Sequence, residues 1–135
     1  MTFEISNKTA NDILVGISDF IKHNPSLPAR LIYCLNKNKN HIEPILKAVE
    51  ETRVSLVHKY GEPDPVTKIP KVTEENMQFF IKDYTDILES IVSIDIHQYS
   101  VAELEQGVPK IEMGTAIMIL WDYIFQDIPR LEVIK

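Results

Sequence analysis

The chain reads as an α+β protein, mainly α: a long helical hairpin with a small antiparallel β element and a buried C-terminal helix. Three observations predict this. Leu35, Ile42, Val49 and Leu56 recur every seven residues, and Leu31 and Ile45 join that row, so residues 27–61 form one amphipathic helix. Residues 73–91 carry a second helical stripe (Met77, Phe80, Ile81, Tyr84, Leu88, Ile91) and supply the partner such a seam needs. Residues 92–98 switch to period two. There Val92, Ile94 and Ile96 face one way, while Ser93, Asp95 and His97 face the other, which is the pattern of a strand.

The remaining elements follow from local chemistry. Residues 2–6 alternate, with Phe3 and Ile5 against polar neighbours, and predict a short edge strand. Thr9 followed by Asp12 resembles a capping box, opening a helix with Ile13, Leu14, Ile17, Phe20 and Ile21 on one face. Asn24-Pro25 ends it, because proline lacks the donor and pushes the residue before it out of helical dihedrals. Ser26 is the expected cap of the long helix, with Pro28 near its first turn. Pro44 would cost about 3 kcal/mol in a helix interior. One resolution is a break at residues 37–40, with Asn40 capping a new helix. The apolar row nevertheless keeps its phase through Pro44, which favours one kinked helix.

His58 and Lys59 suit the negative end of that helix, and Gly61 suits a left-handed residue after it. Pro63, Pro65 and Pro70 punctuate a loop, and Thr73 caps the second helix. Ser100 with Glu103 is another capping-box pattern, for a short helix that stops at residues 107–109. The length and spacing of residues 113–125 favour a buried helix, although their β-branched and aromatic content also permits a strand; residues 131–134 add a final short strand.

With 135 residues the chain corresponds to a single domain, residues 1–135. Its 44% hydrophobic and 25% charged residues are those of a folded, water-soluble protein. No secretory leader is visible, and the longest uncharged apolar stretch falls far short of the ~20 residues that cross a bilayer. No membrane partner is therefore expected. Cys34 is the single cysteine, which excludes an internal disulfide and a thiolate cage and fits a reducing cytoplasm. The net charge of −6 argues against general nucleic-acid binding. That charge is uneven: over residues 28–48, Arg30, Lys37, Lys39 and Lys47 meet only Glu43, a local +3 that leaves −9 elsewhere. A small cationic island on an acidic body attracts one anionic ligand or an acidic partner.

Catalytic signatures are missing. No Walker loop, dinucleotide fingerprint, nucleophile elbow or zincin helix occurs, so no cofactor and no enzymatic activity are expected. The four histidines do not pair at ligand spacing. Asp95 and His97 share a strand face, but two ligands are too few for a closed metal site, so no metal is expected. One constellation has a mechanism. Arg30, Tyr33, Lys37 and His41 lie along one face of a continuous helix. Arginine grips phosphate with a bidentate fork, lysine adds a point charge, and tyrosine offers a stacking surface for a base.

Leu27-Pro28, Tyr33, Asn38, Glu50-Glu51, Arg53, Lys59-Tyr60-Gly61-Glu62 and Ile94-Asp95-Ile96 together resemble a pattern in small, uncharacterised accessory proteins of phages of Gram-positive bacteria. The resemblance spans most of the chain after residue 27, and Pro44 departs from it. It implies a phage accessory protein made in the cytoplasm of an infected host. With the cationic strip and the apolar seam, the expectation is a non-enzymatic homo-oligomer that counters host defence by sequestering a small nucleotide immune signal at Arg30, Tyr33, Lys37 and His41. The alternatives are a protein–protein inhibitor or adaptor that docks on a host defence protein, and a minor virion assembly factor.

Overall fold

The structure, a computed structural model, describes residues 1–108, 110–111 and 114–127. It is the expected α+β arrangement, mainly helical, with small β pairings. Strand β1 (Thr2–Ser6) turns directly into helix α1 (Asn7–His23). Ser6 is the cap, accepting the Thr9 amide at 3.1 Å, so the helix starts before the Thr9–Asp12 pair that the sequence suggested. Helix α2 (Ala29–Tyr60) then runs 32 residues without interruption through Pro44. Ser26 does not cap it. Pro28 holds that place, and its carbonyl takes the Leu31 and Ile32 amides, each at 3.1 Å.

Gly61 is extended rather than left-handed, with φ −113° and ψ 173°, and begins strand β2 (Gly61–Pro63). Space, not dihedral freedom, demands glycine there: a Cβ would collide with the Val57 carbonyl oxygen and stand 2.7 Å from that of Lys71. Strand β2 pairs antiparallel with β3 (Pro70–Val72) where the sequence showed only a proline-rich loop. Pro63 and Pro70 sit opposite each other at the turn end of this ladder, where a missing N–H does little harm. Asp64 closes the turn by accepting the Val66 and Thr67 amides at 2.8 and 3.0 Å. Helix α3 (Met77–Glu89) begins later than expected, because Thr73 caps a turn that leads into it and not the helix itself.

Strand β4 (Ile91–Asp95) lies antiparallel to β1, Thr2 opposite Asp95 and Ser6 opposite Ile91. Strand β5 (Tyr99–Ser100) leads into α4 (Val101–Gly107), capped as expected by Ser100 on the Glu103 amide. The helix expected over residues 113–125 is instead a 3-10 turn (Thr115–Ile117), a single turn α5 (Leu120–Tyr123) and strand β6 (Phe125–Gln126) parallel to β5. Ile117, Ile119, Ile124 and Phe125 are weak helix formers, and pairing with Tyr99 captures Phe125 as a strand. Met113 and the strand expected at residues 131–134 lie outside the described residues. Among those described, no helix is long and apolar enough to cross a membrane.

The core gathers β1, α1, the first half of α2, β4 and the C-terminal segment into one apolar cluster. Phe20 meets Phe125 with ring centroids 5.4 Å apart, and Trp121 lies 4.8 Å from Phe125 on the same cluster. Leu31, Leu35 and Ile42 of the heptad row are fully buried in this cluster together with Ile13 and Ile17 of α1. So the seam has two partners, α1 beside its fully buried members and α3 farther along. Helix α3 also packs on α2 but contains no fully buried residue. Met77 and Ile81, expected as core, are 41% and 53% exposed on α3, and Ile91, expected on the same stripe, instead begins the next strand and is 64% exposed. Polar contacts fasten that end: the Tyr60 hydroxyl donates to Asp83 Oδ2 at 2.5 Å, and Asn76 Nδ2 donates to the Tyr60 carbonyl at 3.2 Å.

Asn38, 1% exposed in the middle of the buried α2 face, joins this helix to the chain leaving β4. Its Oδ1 accepts the His97 amide at 2.7 Å, and its Nδ2 donates to the His97 carbonyl at 2.9 Å. The carboxamide thus acts as a one-residue strand partner where the β1–β4 ladder has ended. Replacing Asn38 with Ala leaves the His97 amide unpaired, at about 1–3 kcal/mol, and its carbonyl with only the weak Cys34 thiol donor at 3.4 Å. Urea denaturation of Asn38→Ala is therefore expected to show about 1–3 kcal/mol of lost stability. Gly16→Ala supplies a second test. Helix propensity alone would gain about 1 kcal/mol, but the new Cβ would stand 2.6 Å from the Ala116 carbonyl oxygen and 3.1 Å from Ile119. Overpacking wins, and a net loss of about 1–2 kcal/mol is expected by the same measurement. Gly114→Ala, with nothing within 4 Å, should stay within about 0.5 kcal/mol of the parent.

Candidate functional site

Arg30, Tyr33 and Lys37 project from the first turns of α2 around an open cleft of about 280 Å³, whose other walls are Cys34, His97, Gln98 and Tyr99. Helix α2 sets their spacing, and Asn38 holds the facing segment against it. Tyr33 is 66% exposed, and the Lys37 ammonium lies 5.5 Å from its ring centroid, a cation–π pair that presents charge and aromatic surface together. Arg30 reaches Glu103 of α4 at 3.7 Å with its own side chain largely in water, so this ion pair is weak and its guanidinium is free to turn.

Cys34 and Tyr99 form the floor. Cys34 is 7% exposed, and burial pushes its thiol up to about 11, against smaller opposing effects of the Asn38 hydrogen bond and the Lys37 charge. It is a packed side chain and not a nucleophile at neutral pH, in keeping with its apolar neighbours in the sequence. Burial likewise raises the Tyr99 hydroxyl, and the Glu103 carboxylate adds to that.

His41 continues the strip but does not line the cleft. Its Nδ1 stands 2.8 Å from the Asp95 carbonyl oxygen, and its ring centroid lies 5.3 Å from that of His97. The four residues of the strip thus divide. Three surround the cleft, and the fourth belongs with Asp95 and His97 at its rim. Burial is the main reason the His97 imidazole is held below its usual range, with Lys37 adding to the effect. Asp95 is held low chiefly by its hydrogen bond from the Met1 ammonium at 3.2 Å. His41, Asp95 and His97 are the side chains that could hold a metal ion among the described residues.

Sequence spacing alone missed His97, Gln98 and Tyr99 as walls of the cleft and Asn38 as its brace. Asp95 and His97 were visible as a pair, yet their third companion lies more than fifty residues earlier on another element. A second groove, of about 440 Å³, runs past Pro44, Ile45, Val49, Ile87 and Val92. It is lined by no charged side chain. The chain matches no family model, no curated protein and no solved structure.

Proposed function

We propose that this is a non-enzymatic phage accessory protein that acts in the host cytoplasm by binding and sequestering a small nucleotide immune signal. The observation that carries the reading is the meeting of Arg30, Tyr33 and Lys37 around one cleft. A guanidinium fork and an ammonium suit a phosphate, and the exposed Tyr33 ring suits a base. Gln98 adds an amide able to read a base edge. His41 lies beyond the cleft and contributes through His97. The resemblance to phage accessory proteins supplies the biological setting.

The cleft is open, and its volume lies just under the ~300 Å³ at which small-molecule sites begin. That supports a homo-oligomer in which a second copy completes the enclosure. A second reading, docking on a host defence protein, is favoured by the exposed apolar side chains Val54, Val66, Ile69, Phe79 and Ile81 along distal α2, the β2–β3 hairpin and α3.

Calorimetric titration with cyclic di- and trinucleotides and cyclic ADP-ribose isomers tests the nucleotide reading. Binding without turnover is expected, and Arg30→Ala combined with Lys37→Ala should weaken it by about a hundredfold, the loss of two charge-assisted contacts. No response from the folded protein, or one indifferent to the double substitution, removes this reading and leaves the docking one. Sedimentation equilibrium tests the assembly: a mass above that of one chain is expected, and a strict monomer at high concentration would rule it out.

A further inference from the structure

Three metal-type donors from distant parts of the chain meet where α2 passes the end of β4. One ligand atom from each of His41, Asp95 and His97 lies within 4.8 Å of the others. The His41 ring is already oriented for ligation. Its Nδ1 faces the Asp95 carbonyl oxygen at 2.8 Å, and because a carbonyl only accepts, Nδ1 carries the proton and Nε2 keeps a lone pair. A backbone carbonyl behind one ring nitrogen is the outer support that metal-bound imidazoles use.

His97 supplies a second donor. Its Nε2 is buried and lacks a hydrogen-bond partner among the described residues, an arrangement folded proteins rarely tolerate without a reason. Nor is its backbone free to relieve this by moving, since Asn38 holds both the amide and the carbonyl of the same residue. Asp95 provides an anionic oxygen with a half-exposed side chain. Its contact with the Met1 ammonium is a water-exposed ion pair, of the kind that contributes little and yields readily to a stronger cation.

We propose that His41, Asp95 and His97 form a binding site for a divalent transition ion of the zinc type, with three protein ligands and an open fourth position. Two imidazoles and a carboxylate match zinc better than magnesium or calcium, which prefer oxygen donors, or copper(I), which prefers thiolate. Bonds of about 2.0–2.2 Å in a tetrahedral site bring ligand atoms to roughly 3.3 Å from one another. Closure from the present spacing is a matter of side-chain rotation at Asp95, which is more than half exposed, while His41 keeps its contact to the Asp95 carbonyl. His97 also lines the cationic cleft. A bound ion at that rim would therefore present its open position to a phosphate oxygen. That last consequence rests on the nucleotide reading; the metal site itself does not.

Zinc chloride alone, titrated into the full chain by calorimetry, and cobalt chloride, followed by its visible d–d absorption, test the site. One ion per chain is expected, with a rise in the thermal midpoint. His41→Ala and Asp95→Asn, changes near the surface whose folding circular dichroism checks, should each weaken uptake at least tenfold. His58→Ala, exposed on another part of α2, should leave uptake unchanged. No uptake by the parent protein, undiminished uptake in both site variants, or an equal loss in His58→Ala would overturn the proposal. These titrations contain no nucleotide, so the metal site and the nucleotide reading stand or fall separately.

Discussion

A single buried carboxamide governs the geometry of this molecule. After Asp95 the β1–β4 ladder has ended, yet the chain must still cross the core-facing side of α2 before β5 begins. Backbone groups on such a path need partners, because an unpaired buried N–H or C=O costs as much as a lost hydrogen bond. Asn38 answers both from one side chain. It could do so only from a helix position facing inward, where an apolar residue would otherwise be expected. The polar break in the buried face of α2 is thus the reason that face can hold a non-helical segment at all. Both the cleft wall formed by His97, Gln98 and Tyr99 and the approach of His97 to His41 follow from it.

Much of the fold was legible from periodicity. The alternation at residues 2–6 and at residues 92–98 marks two strands, and the structure pairs them as β1 and β4, the second ending already at Asp95. The seven-residue row carried α2 through Pro44, and Ser100 with Glu103 marked α4. What periodicity cannot supply is the partner of each face. The seam suggested α3, whereas its most buried members share a cluster with α1, because a helix longer than the core must change neighbours along its length. Prolines hid the β2–β3 hairpin, since residues that lack a donor read as loop even when they only border a ladder. Over residues 113–125 length and spacing favour a helix, which the structure keeps only as the turn α5, while β-branched residues and the short pairing of Phe125 and Gln126 with β5 account for the rest.

The candidate site divides along the same line. Arg30, Tyr33 and Lys37 are neighbours through helical spacing, so the sequence could assemble them without tertiary information. His41 obeys the same spacing but is claimed by Asp95 across the fold. Asn38 is the instructive case. In the sequence it stands out only within the resemblance, because asparagine in a helix ordinarily signals a solvated position, and nothing local announces that its partner lies 59 residues away.

Helix α2 has two different halves. Its first carries the fully buried Leu31, Leu35, Asn38 and Ile42, while beyond Val49 no position is fully covered. Pro44 stands near that change, and it is the residue whose nitrogen cannot bond the carbonyl one turn back. The rung missing from the ladder sits where the rooted half hands over to the half that carries α3 and the β2–β3 hairpin. Flexing is least costly at such a point. The distal half is nevertheless no free arm: α3 returns from it straight into β4, and Asn7 holds that return through the Ile87 and Ser90 carbonyls at 2.8 and 3.0 Å, so any bend at residue 44 is shared with a second tether.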